Sequence, residues 1–199
     1  MTILPVNDVW MRIDCDDATA RELSDYFTFD VQNARYMPQM RGRNWNGKIR
    51  LFKLRGHLLY RGLLPRLLEF AAQQGYDVEN HVPTPQPILD DVSTWIAAQA
   101  LSVAPRDYQI AAVTALLTQH RGIVLSPTGS GKSLIIHLVT TAIDAPTLIV
   151  VPTTGLVTQL SNDLRSYGCP VTDIQNIHAG LPKTQQARIV LSTWQSIYK

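Results

Sequence analysis

The sequence predicts an α/β protein of two domains, in which a small α+β unit precedes a larger unit with a mainly parallel sheet. Strand-like and helix-like patterns alternate through the second half of its 199 residues. Three strand-like runs are continuously apolar, as in strands buried on both faces of a parallel sheet: Ile123 to Leu125, Leu148 to Val151 and Ile189 to Leu191. Three prolines between Asn80 and Pro87 favour an extended linker, which marks the boundary between the domains.

The first 80 residues begin with a strand and a helix. Val9 to Cys15 alternates polar and apolar residues with the period of a strand. Asp16 and the residues after it provide an N-cap for a helix that ends at about Phe29. The order of these elements is therefore β, then α.

A hairpin and a second helix complete this unit. Lys48 to Leu54 alternates basic and apolar residues, Gly56 marks a turn, and Leu58 to Tyr60 follows as a return strand. This pattern predicts a hairpin with one charged face. Leu63 to Gln74 is typical of a helix that stops at Gly75, because glycine commonly follows the last helical residue.

The second unit is expected to extend from residue 105 to 199, after a linker and a short helix at residues 81 to 104. The short helix runs from about Ile88 to Leu101. The expected elements of the second unit are a helix from Arg106 to Gln119, a strand from Gly122 to Leu125, a helix from Lys132 to Ile143, a strand from Thr147 to Val151, a helix from Thr154 to Tyr167, and strands from Asp173 to Ile177 and Arg188 to Ser192.

The overall composition is that of a soluble globular protein and does not indicate a partner, with 45% hydrophobic residues, 17% charged residues and a formal net charge of +2. The charge is unevenly distributed, however, because residues 31 to 66 contain no Asp or Glu. The same stretch holds nine basic residues: Arg35, Arg41, Arg43, Lys48, Arg50, Lys53, Arg55, Arg61 and Arg66.

Cys15 and Cys169 lie far apart in sequence, and neither belongs to a cluster with metal-ligand spacing. A reducing compartment fits such a pair best. The N-terminus lacks the pattern of a signal peptide, and no apolar run is long enough to predict a membrane span. We therefore expect a cytoplasmic protein, located in the host cytoplasm if a phage encodes it.

Residues 126 to 133, Ser-Pro-Thr-Gly-Ser-Gly-Lys-Ser, have the pattern of a phosphate-binding loop (P-loop). Gly129 and Gly131 permit backbone conformations in which successive N–H groups face phosphate oxygens. The helix that starts near Lys132 adds its positive dipole end. Lys132 can reach the β- and γ-phosphates of ATP, and the Ser133 hydroxyl can ligate the bridging Mg²⁺.

We therefore assign Lys132 and Ser133 as candidate catalytic residues and Ser133 as the candidate metal ligand. The candidate nucleotide-binding residues of the loop are Pro127, Thr128, Gly129, Ser130, Gly131, Lys132 and Ser133. Ser126 departs from the strict pattern, which has Gly at this position. The strand-like run before the loop and the helix-like run after it favour a P-loop over a glycine-rich turn that holds no nucleotide.

Three further segments make the chain resemble superfamily 2 helicases, which commonly accept Ser at the first position of the loop, and in particular the UvsW-type recombination helicases of phages. Arg106 to Gln109 (Arg-Asp-Tyr-Gln) resembles the adenine-recognising Q motif. Val151 to Gln159 resembles motif Ia, and Leu191 to Ser196 resembles motif Ib. The resemblance implies that the second unit is the first RecA-like motor domain of such a helicase.

The resemblance also implies individual functions. Gln109 would hydrogen-bond the edge of the adenine base, and Arg106 or Tyr108 would pack near its ring. Motifs Ia and Ib contact the nucleic-acid backbone in the family, so their candidate DNA contacts are Pro152, Thr153, Thr154, Gln159, Ser192, Thr193, Trp194 and Gln195. Hydroxyls and helix-start amides at the carboxyl ends of strands suit phosphate oxygens.

Each of these residues taken alone has a second interpretation. Pro152 to Thr154 are also residues that start and cap a helix. Gln109 alone is typical of a helix surface, and Trp194 alone is typical of core or edge packing. The order and spacing of the motifs favour the helicase interpretation.

Residues 41 to 51 resemble the N-terminal domain of UvsW-like helicases, with Asn46-Gly47 where relatives often carry Asp-Gly. Basic residues neutralise phosphates while aromatic faces stack on bases. The candidate DNA contacts in this segment are Arg41, Arg43, Trp45, Lys48 and Arg50. The alternatives are a simple hairpin turn at Asn46-Gly47 and a solvated basic face offset by the acidic residues between Asp8 and Asp30.

ATP hydrolysis by a helicase also needs an acidic residue that holds Mg²⁺ and a group that orients the attacking water. No Asp-Glu pair follows an apolar strand, and the chain stops at Lys199, before the expected motif II. We therefore expect an N-terminal portion or a truncated product that is inactive alone. The full protein would be an ATP-dependent DNA helicase or translocase acting on branched recombination or repair intermediates. The alternatives are a non-catalytic DNA-binding protein and a small-molecule P-loop NTPase.

Overall fold

The computed structural model describes residues 1–37, 45–178, 184 and 186–198. The chain divides into two compact units, Met1–Thr84 and Pro85–Lys199. Within the described residues, no helix is sufficiently long and apolar to cross a lipid bilayer.

Over the described residues 1–37 and 45–84, the first unit combines two small sheets with two α-helices. Its elements in chain order are β1 (Thr2–Pro5), β2 (Trp10–Asp14), α1 (Asp17–Tyr26), β3 (Thr28–Asp30), β4 (Lys48–Arg50), β5 (Leu58–Tyr60), α2 (Leu64–Gln74) and β6 (Glu79–Asn80). The four-stranded sheet has the order β5-β2-β1-β6, and β3 pairs with β4 in a separate two-stranded sheet. β1 runs antiparallel to β2 and parallel to β6.

The core of the first unit lies between one face of the larger sheet and the two helices. Ile3, Met11 and Ile13 are buried and alternate with more exposed residues along β1 and β2, so the pleat directs them to the same face. They form one buried cluster with Leu23 of α1 and Leu67 of α2. The period-two pattern that predicts β2 therefore also identifies its buried residues.

The ends of both helices follow their sequence signals. Asp16 caps α1, because its Oδ1 accepts the N–H groups of Ala18 at 2.8 Å and Thr19 at 3.0 Å. The hydrogen bonds that Asp16 accepts lower its pKa, and those from Thr19 have the largest effect. Gly75 ends α2 in the left-handed conformation at φ 72°, as predicted.

Two expectations for this unit are wrong. The first helix ends at Tyr26 rather than near Phe29, because β3 begins at Thr28. The predicted hairpin closes only at one antiparallel bridge, between Lys53 and Leu58, since β4 pairs with β3 and β5 pairs with β2. Between them, Phe52 turns into the core and is only 2% exposed, which takes the chain out of the strand. The alternation correctly predicts strands but not their partners.

The second unit contains a three-stranded parallel sheet. Its elements are α3 (Val92–Ala97), α4 (Asp107–Gln119), α5 (Lys132–Ile143), β7 (Thr147–Val151), α6 (Thr154–Ser166), β8 (Ile174–Ile177), β9 (Ile189–Thr193) and α7 (Trp194–Tyr198). The sheet order is β7-β9-β8, and both pairings are parallel. One core cluster joins α3, α4 and α5, and a second joins α6 to β8 and β9.

The three apolar runs differ in their burial. Every residue of β9 is buried, as predicted for a strand covered on both faces. In β7, Leu148 is 54% exposed and Val150 is 48% exposed, because the described residues cover only one face of this strand. The predicted strand from Gly122 to Leu125 is wrong, since no strand is present there and Ile123 and Leu125 are almost fully exposed. The helix expected from Ile88 to Leu101 is the shorter α3.

Gly75 and Gly62 form a matched pair for testing the end of α2. Alanine at Gly75 must adopt a left-handed φ and meets no atom within 4 Å, so we expect Gly75→Ala to lower the free energy of unfolding by about 1–2 kcal/mol through backbone strain alone. Gly62 has equal space but no positive φ, so Gly62→Ala should not be destabilising. Equilibrium urea unfolding of the 199-residue chain measures both; equal effects of the two substitutions would contradict the strained cap.

Candidate functional site

The P-loop leads directly into α5 through a backbone that requires glycine. Gly129 has φ 80° and Gly131 has φ 74°, and both angles lie in the left-handed region. Gly131 is the N-cap of α5 and offers no side-chain acceptor to the first-turn N–H groups. By contrast, the side chains of Asp16, Asp91 and Thr153 cap α1, α3 and α6. The start of α5 therefore has amide donors and a positive dipole end suited to an anion.

The Lys132 side chain folds back over this loop. Its Nζ donates to the carbonyl oxygens of Pro127 at 2.6 Å and Ser126 at 3.1 Å. These partners are neutral, whereas a phosphate oxygen forms a stronger, charge-assisted hydrogen bond with an ammonium group. Within the loop, the hydroxyl of Ser126 also hydrogen-bonds that of Ser130. The loop therefore presents a cation that phosphate can recruit.

Gln109 fastens the start of α4 to the loop. Its Oε1 accepts the backbone N–H of Arg106 at 2.8 Å. Its Nε2 donates to the carbonyl oxygens of Ser130 at 3.0 Å and Gly131 at 3.3 Å. Because the Gln109 side chain is buried, these bonds satisfy polar groups that have little access to water. The interpretation of Gln109 as a surface helix residue is therefore wrong, and its contact with an adenine base stays a prediction.

Tyr108 and Arg106 lie beside the loop at the exposed end of α4. The Tyr108 hydroxyl donates to the Ser130 carbonyl oxygen at 2.9 Å, and Arg106 Nη1 lies 3.4 Å from the Tyr108 hydroxyl. Both residues line a cavity of about 200 Å³ together with Gln109, Gly129 and Gly131. This cavity joins the predicted base-recognition segment to the phosphate loop, as the resemblance implies.

Ser133 occupies the first turn of α5, where its hydroxyl meets Tyr167. The two oxygens, Ser133 Oγ and Tyr167 Oη, are 3.1 Å apart. The Tyr167 ring lies 5.6 Å from that of His137, one turn further along α5. Burial, with a smaller contribution from the Arg188 charge, lowers the pKa of His137 and favours its neutral form. Sequence patterns gave no signal for Tyr167, because it contacts the loop from 34 residues away.

The chemical groups of these residues suit a nucleotide that carries a metal ion. The uncapped helix start and Lys132 suit phosphate oxygens, and the Ser133 hydroxyl is a hard oxygen ligand of the kind Mg²⁺ prefers. No group of three His, Cys, Asp or Glu side chains that could hold a metal ion is found in the described part of the chain. The metal site proposed at the loop therefore rests on the hydroxyl of Ser133.

The motif Ia segment lies at the start of α6. Pro152, Thr153, Thr154 and Gln159 are all exposed. Thr153 caps the helix, with its Oγ1 accepting the N–H of Leu156 at 3.3 Å. The capping interpretation of this segment is thus confirmed for Thr153, and the DNA contacts of the segment stay predictions.

The motif Ib residues fall into two groups. Ser192 is fully buried, and its hydroxyl donates to the Ile177 carbonyl oxygen at 2.6 Å, so the structure does not support it as a DNA contact. Thr193 is also buried, and its hydroxyl lies 3.0 Å from that of Ser196. Trp194 is 59% exposed, which contradicts its interpretation as a core residue, and Gln195 is exposed as well. Two of these four neighbours are therefore buried and two are exposed, which their order in the sequence does not indicate.

In the basic segment of the first unit, the structure describes three of the five candidate residues. Trp45 Nε1 donates to the Lys48 carbonyl oxygen at 2.8 Å, and Arg50 Nη1 lies 3.4 Å from Asn46 Oδ1. Lys48 forms an exposed ion pair with Asp30 at 3.9 Å, and exposed pairs of this kind contribute only about 0–1 kcal/mol. Arg41 and Arg43 lie outside the described residues.

The first unit also carries an aromatic surface that the sequence pattern did not single out. Trp10 of β2 lies directly opposite Tyr60 of β5, and their ring centroids are 4.1 Å apart in a stacked arrangement. Lys53 Nζ lies 4.0 Å from the centroid of the Trp10 ring. The strand alternation places Trp10 on the face opposite the core, which is the signal that could have identified it.

The parallel sheet, the P-loop sequence and the uncapped helix start together define an α/β protein with a P-loop. Family models agree. The model "DNA helicase UvsW, N-terminal" matches residues 7–80, and the model "Type III restriction enzyme, res subunit" matches residues 102–199.

Comparison with individual proteins is more specific. The ATP-dependent DNA helicase UvsW of Enterobacteria phage T4 is 32% identical over 206 residues, which cover 95% of this chain and 41% of the relative. The DNA 3'-5' translocase XPB2 of Sulfurisphaera tokodaii is 33% identical over 92 residues, which cover 46% of this chain and 20% of the relative.

Two solved structures of UvsW from bacteriophage T4 match nearly the whole chain. The first has a TM-score of 0.87 at 30% identity, and the match covers 98% of this chain and 75% of the chain in that structure. The second has a TM-score of 0.88 at 30% identity, and the match covers 100% of this chain and 43% of the chain in that structure. The chain belongs to the UvsW family of superfamily 2 helicases, and it spans 41% of the length of the curated T4 relative.

Gly131 and Gly129 provide a matched test of the Gln109 contact. Alanine is strained by a positive φ at both positions, but only a Cβ at residue 131 overlaps Gln109 Nε2, whereas residue 129 has free space. We expect Gly131→Ala to lower the free energy of unfolding by about 1–3 kcal/mol more than Gly129→Ala, as measured by urea denaturation.

The Gln109→Ala background supplies the control. Without the Gln109 side chain, the excess cost of alanine at residue 131 over residue 129 should disappear. If the excess persisted in that background, the Gln109 contact would not be its cause.

Proposed function

We propose that this chain forms the ATP-binding part of a DNA helicase or translocase, with a small basic domain that binds DNA. The observation that carries the proposal is the P-loop, in which an uncapped helix start, a cationic side chain and the Arg106 to Gln109 segment surround one site. Its relatives are named an ATP-dependent DNA helicase and a DNA 3'-5' translocase. We divide the chain into three parts. Residues 1–80 form the basic domain, residues 81–104 form the linker and short helix, and residues 105–199 form part of the motor domain.

The loop would bind the phosphate groups of ATP through backbone amides and charge. The N–H groups at the start of α5 would donate to phosphate oxygens, and Lys132 would exchange its two carbonyl partners for them. Ser133 would ligate Mg²⁺, which supplies charge neutralisation at the phosphates when bound. Arg106 or Tyr108 would pack near the adenine ring from the end of α4.

Hydrolysis requires further groups that position the attacking water and stabilise the developing charge. The residues that follow β7, β8 and β9 are Pro152, His178 and Trp194, so none of these strands is followed by an acidic residue. We propose that these groups lie in the portion of the longer relatives that this chain does not cover.

DNA would be bound mainly through its backbone, because the candidate residues are cations, hydroxyls and helix-start amides. In the second unit, the exposed start of α6 at Thr153 and Thr154 is the strongest candidate. In the first unit, Lys48 and Arg50 lie on an exposed strand of the acid-free stretch. Branched recombination or repair intermediates are the proposed substrates, and the cytoplasm is the proposed location, namely that of the host if a phage encodes the protein.

Lys132→Ala tests the nucleotide site. Removal of one charge-assisted hydrogen bond should weaken ATP binding by about tenfold to a hundredfold. Titration of the 199-residue chain with a fluorescent ATP analogue measures this change. Arg165→Ala, which removes an exposed cation near the end of α6, is the control and should bind normally. Unchanged affinity in Lys132→Ala would overturn the assignment of the loop.

Lys48→Ala/Arg50→Ala tests the basic strand. If both side chains contact phosphates, the double substitution should reduce the slope of log K against log salt concentration by about 2 for a forked DNA. Fluorescence anisotropy at several salt concentrations gives the slope. Arg21→Ala, an exposed cation on α1 outside the acid-free stretch, should leave it unchanged. A slope equal to that of the wild-type chain would count against DNA contact by β4.

A further inference from the structure

The hydroxyl of Tyr167 is the side-chain partner of the Ser133 hydroxyl, at 3.1 Å. Tyr167 follows the last residue of α6, and its backbone N–H donates to Asp163 at 3.1 Å and so continues the helical hydrogen-bond pattern. The position of the ring is therefore set by α6 rather than by the loop that it touches.

Packing holds the tyrosine ring in place. The ring is half-buried against the apolar cluster formed by α3, α4 and α5. It also contacts the neutral ring of His137 on α5, with 5.6 Å between the ring centroids. A ring fixed on two sides keeps its hydroxyl at one point beside the first turn of α5, so little conformational entropy is lost when the hydrogen bond forms.

A serine hydroxyl has one proton and two acceptor lone pairs. A metal ion binds through a lone pair, so the proton must point elsewhere. When the Tyr167 oxygen accepts that proton, the lone pairs of Ser133 Oγ stay available for a cation. A bound cation also makes the Ser133 hydroxyl a stronger donor, which strengthens its bond to Tyr167.

We propose that Tyr167 is a positioning residue for the metal-nucleotide complex, acting by accepting the hydroxyl proton of Ser133. The inference rests on the proposed nucleotide-binding function and extends it to a residue outside the P-loop. Tyr167 also lines the cavity beside the loop, but in this scheme it acts through Ser133 and not through a contact of its own with the nucleotide. Its effect is confined to the form of the nucleotide that carries a metal ion, which separates it from a residue that merely supports the fold.

Tyr167→Phe tests this inference, because phenylalanine keeps the ring and removes only the hydroxyl. Binding of a fluorescent ATP analogue to the 199-residue chain is measured with Mg²⁺ and, separately, with EDTA. We expect Tyr167→Phe to weaken binding with Mg²⁺ by about three- to tenfold, as the loss of one hydrogen bond predicts, and to leave binding in EDTA unchanged. The thermal unfolding midpoint of each variant verifies that it is folded.

Ser133→Ala is the second arm of the experiment. In that background Tyr167→Phe should have no further effect, because the hydrogen bond is already absent. Equal losses with Mg²⁺ and with EDTA would show a structural contribution and overturn the inference, as would wild-type affinity with Mg²⁺. If the wild-type chain bound no nucleotide under either condition, the proposed function itself would fail.

Discussion

The carboxamide of Gln109 is the constraint on which the geometry of the site depends. It accepts the N–H of Arg106 and donates to the carbonyl oxygens of Ser130 and Gly131, so it uses both donors and one acceptor position. The Gln109 side chain is buried, and breaking one of these bonds leaves a polar group with little access to water. Because Ser130 and Gly131 immediately precede α5, the same contact fixes where that helix begins. The absence of a Cβ at Gly131 is what permits so close an approach.

Gln109 fixes the backbone of the loop. The other polar groups of the loop have partners that a phosphate can replace. Lys132 is bonded to two neutral carbonyl groups, and the start of α5 has no side-chain cap. Among the residues that the structure describes, both arrangements leave positive charge without an anionic partner. Neutral side chains, Gln109 and Tyr108, thus hold the backbone of the loop, while the charged Lys132 side chain is exposed. This division is expected of a site that must hold its shape before its ligand binds.

The sequence predicts the parts of this structure that depend on local pattern. The α/β class, the family, the helices at residues 107–119 and 132–143, and the cap at Gly75 are confirmed. Strand pairing is not local, so the sequence could not indicate that β4 joins β3 while β5 joins β2. Burial is not local either: Ile189 to Leu191 and Ile123 to Leu125 read alike, yet the first run is buried and two residues of the second are almost fully exposed. Tyr167 escaped prediction for the same reason, because its contact with Ser133 spans 34 residues.

Hydroxyl protons distinguish the candidate residues that sequence motifs treat as equivalent. A phosphate oxygen accepts hydrogen bonds, so a hydroxyl must still have its proton available in order to bind one. Ser192 gives its proton to the Ile177 carbonyl oxygen and is fully buried, which leaves nothing to donate to DNA. Thr153 instead accepts a bond from Leu156, so capping the helix leaves its proton available. The capping and DNA-contact interpretations of Thr153 are therefore compatible, because the two interactions use different parts of one hydroxyl group.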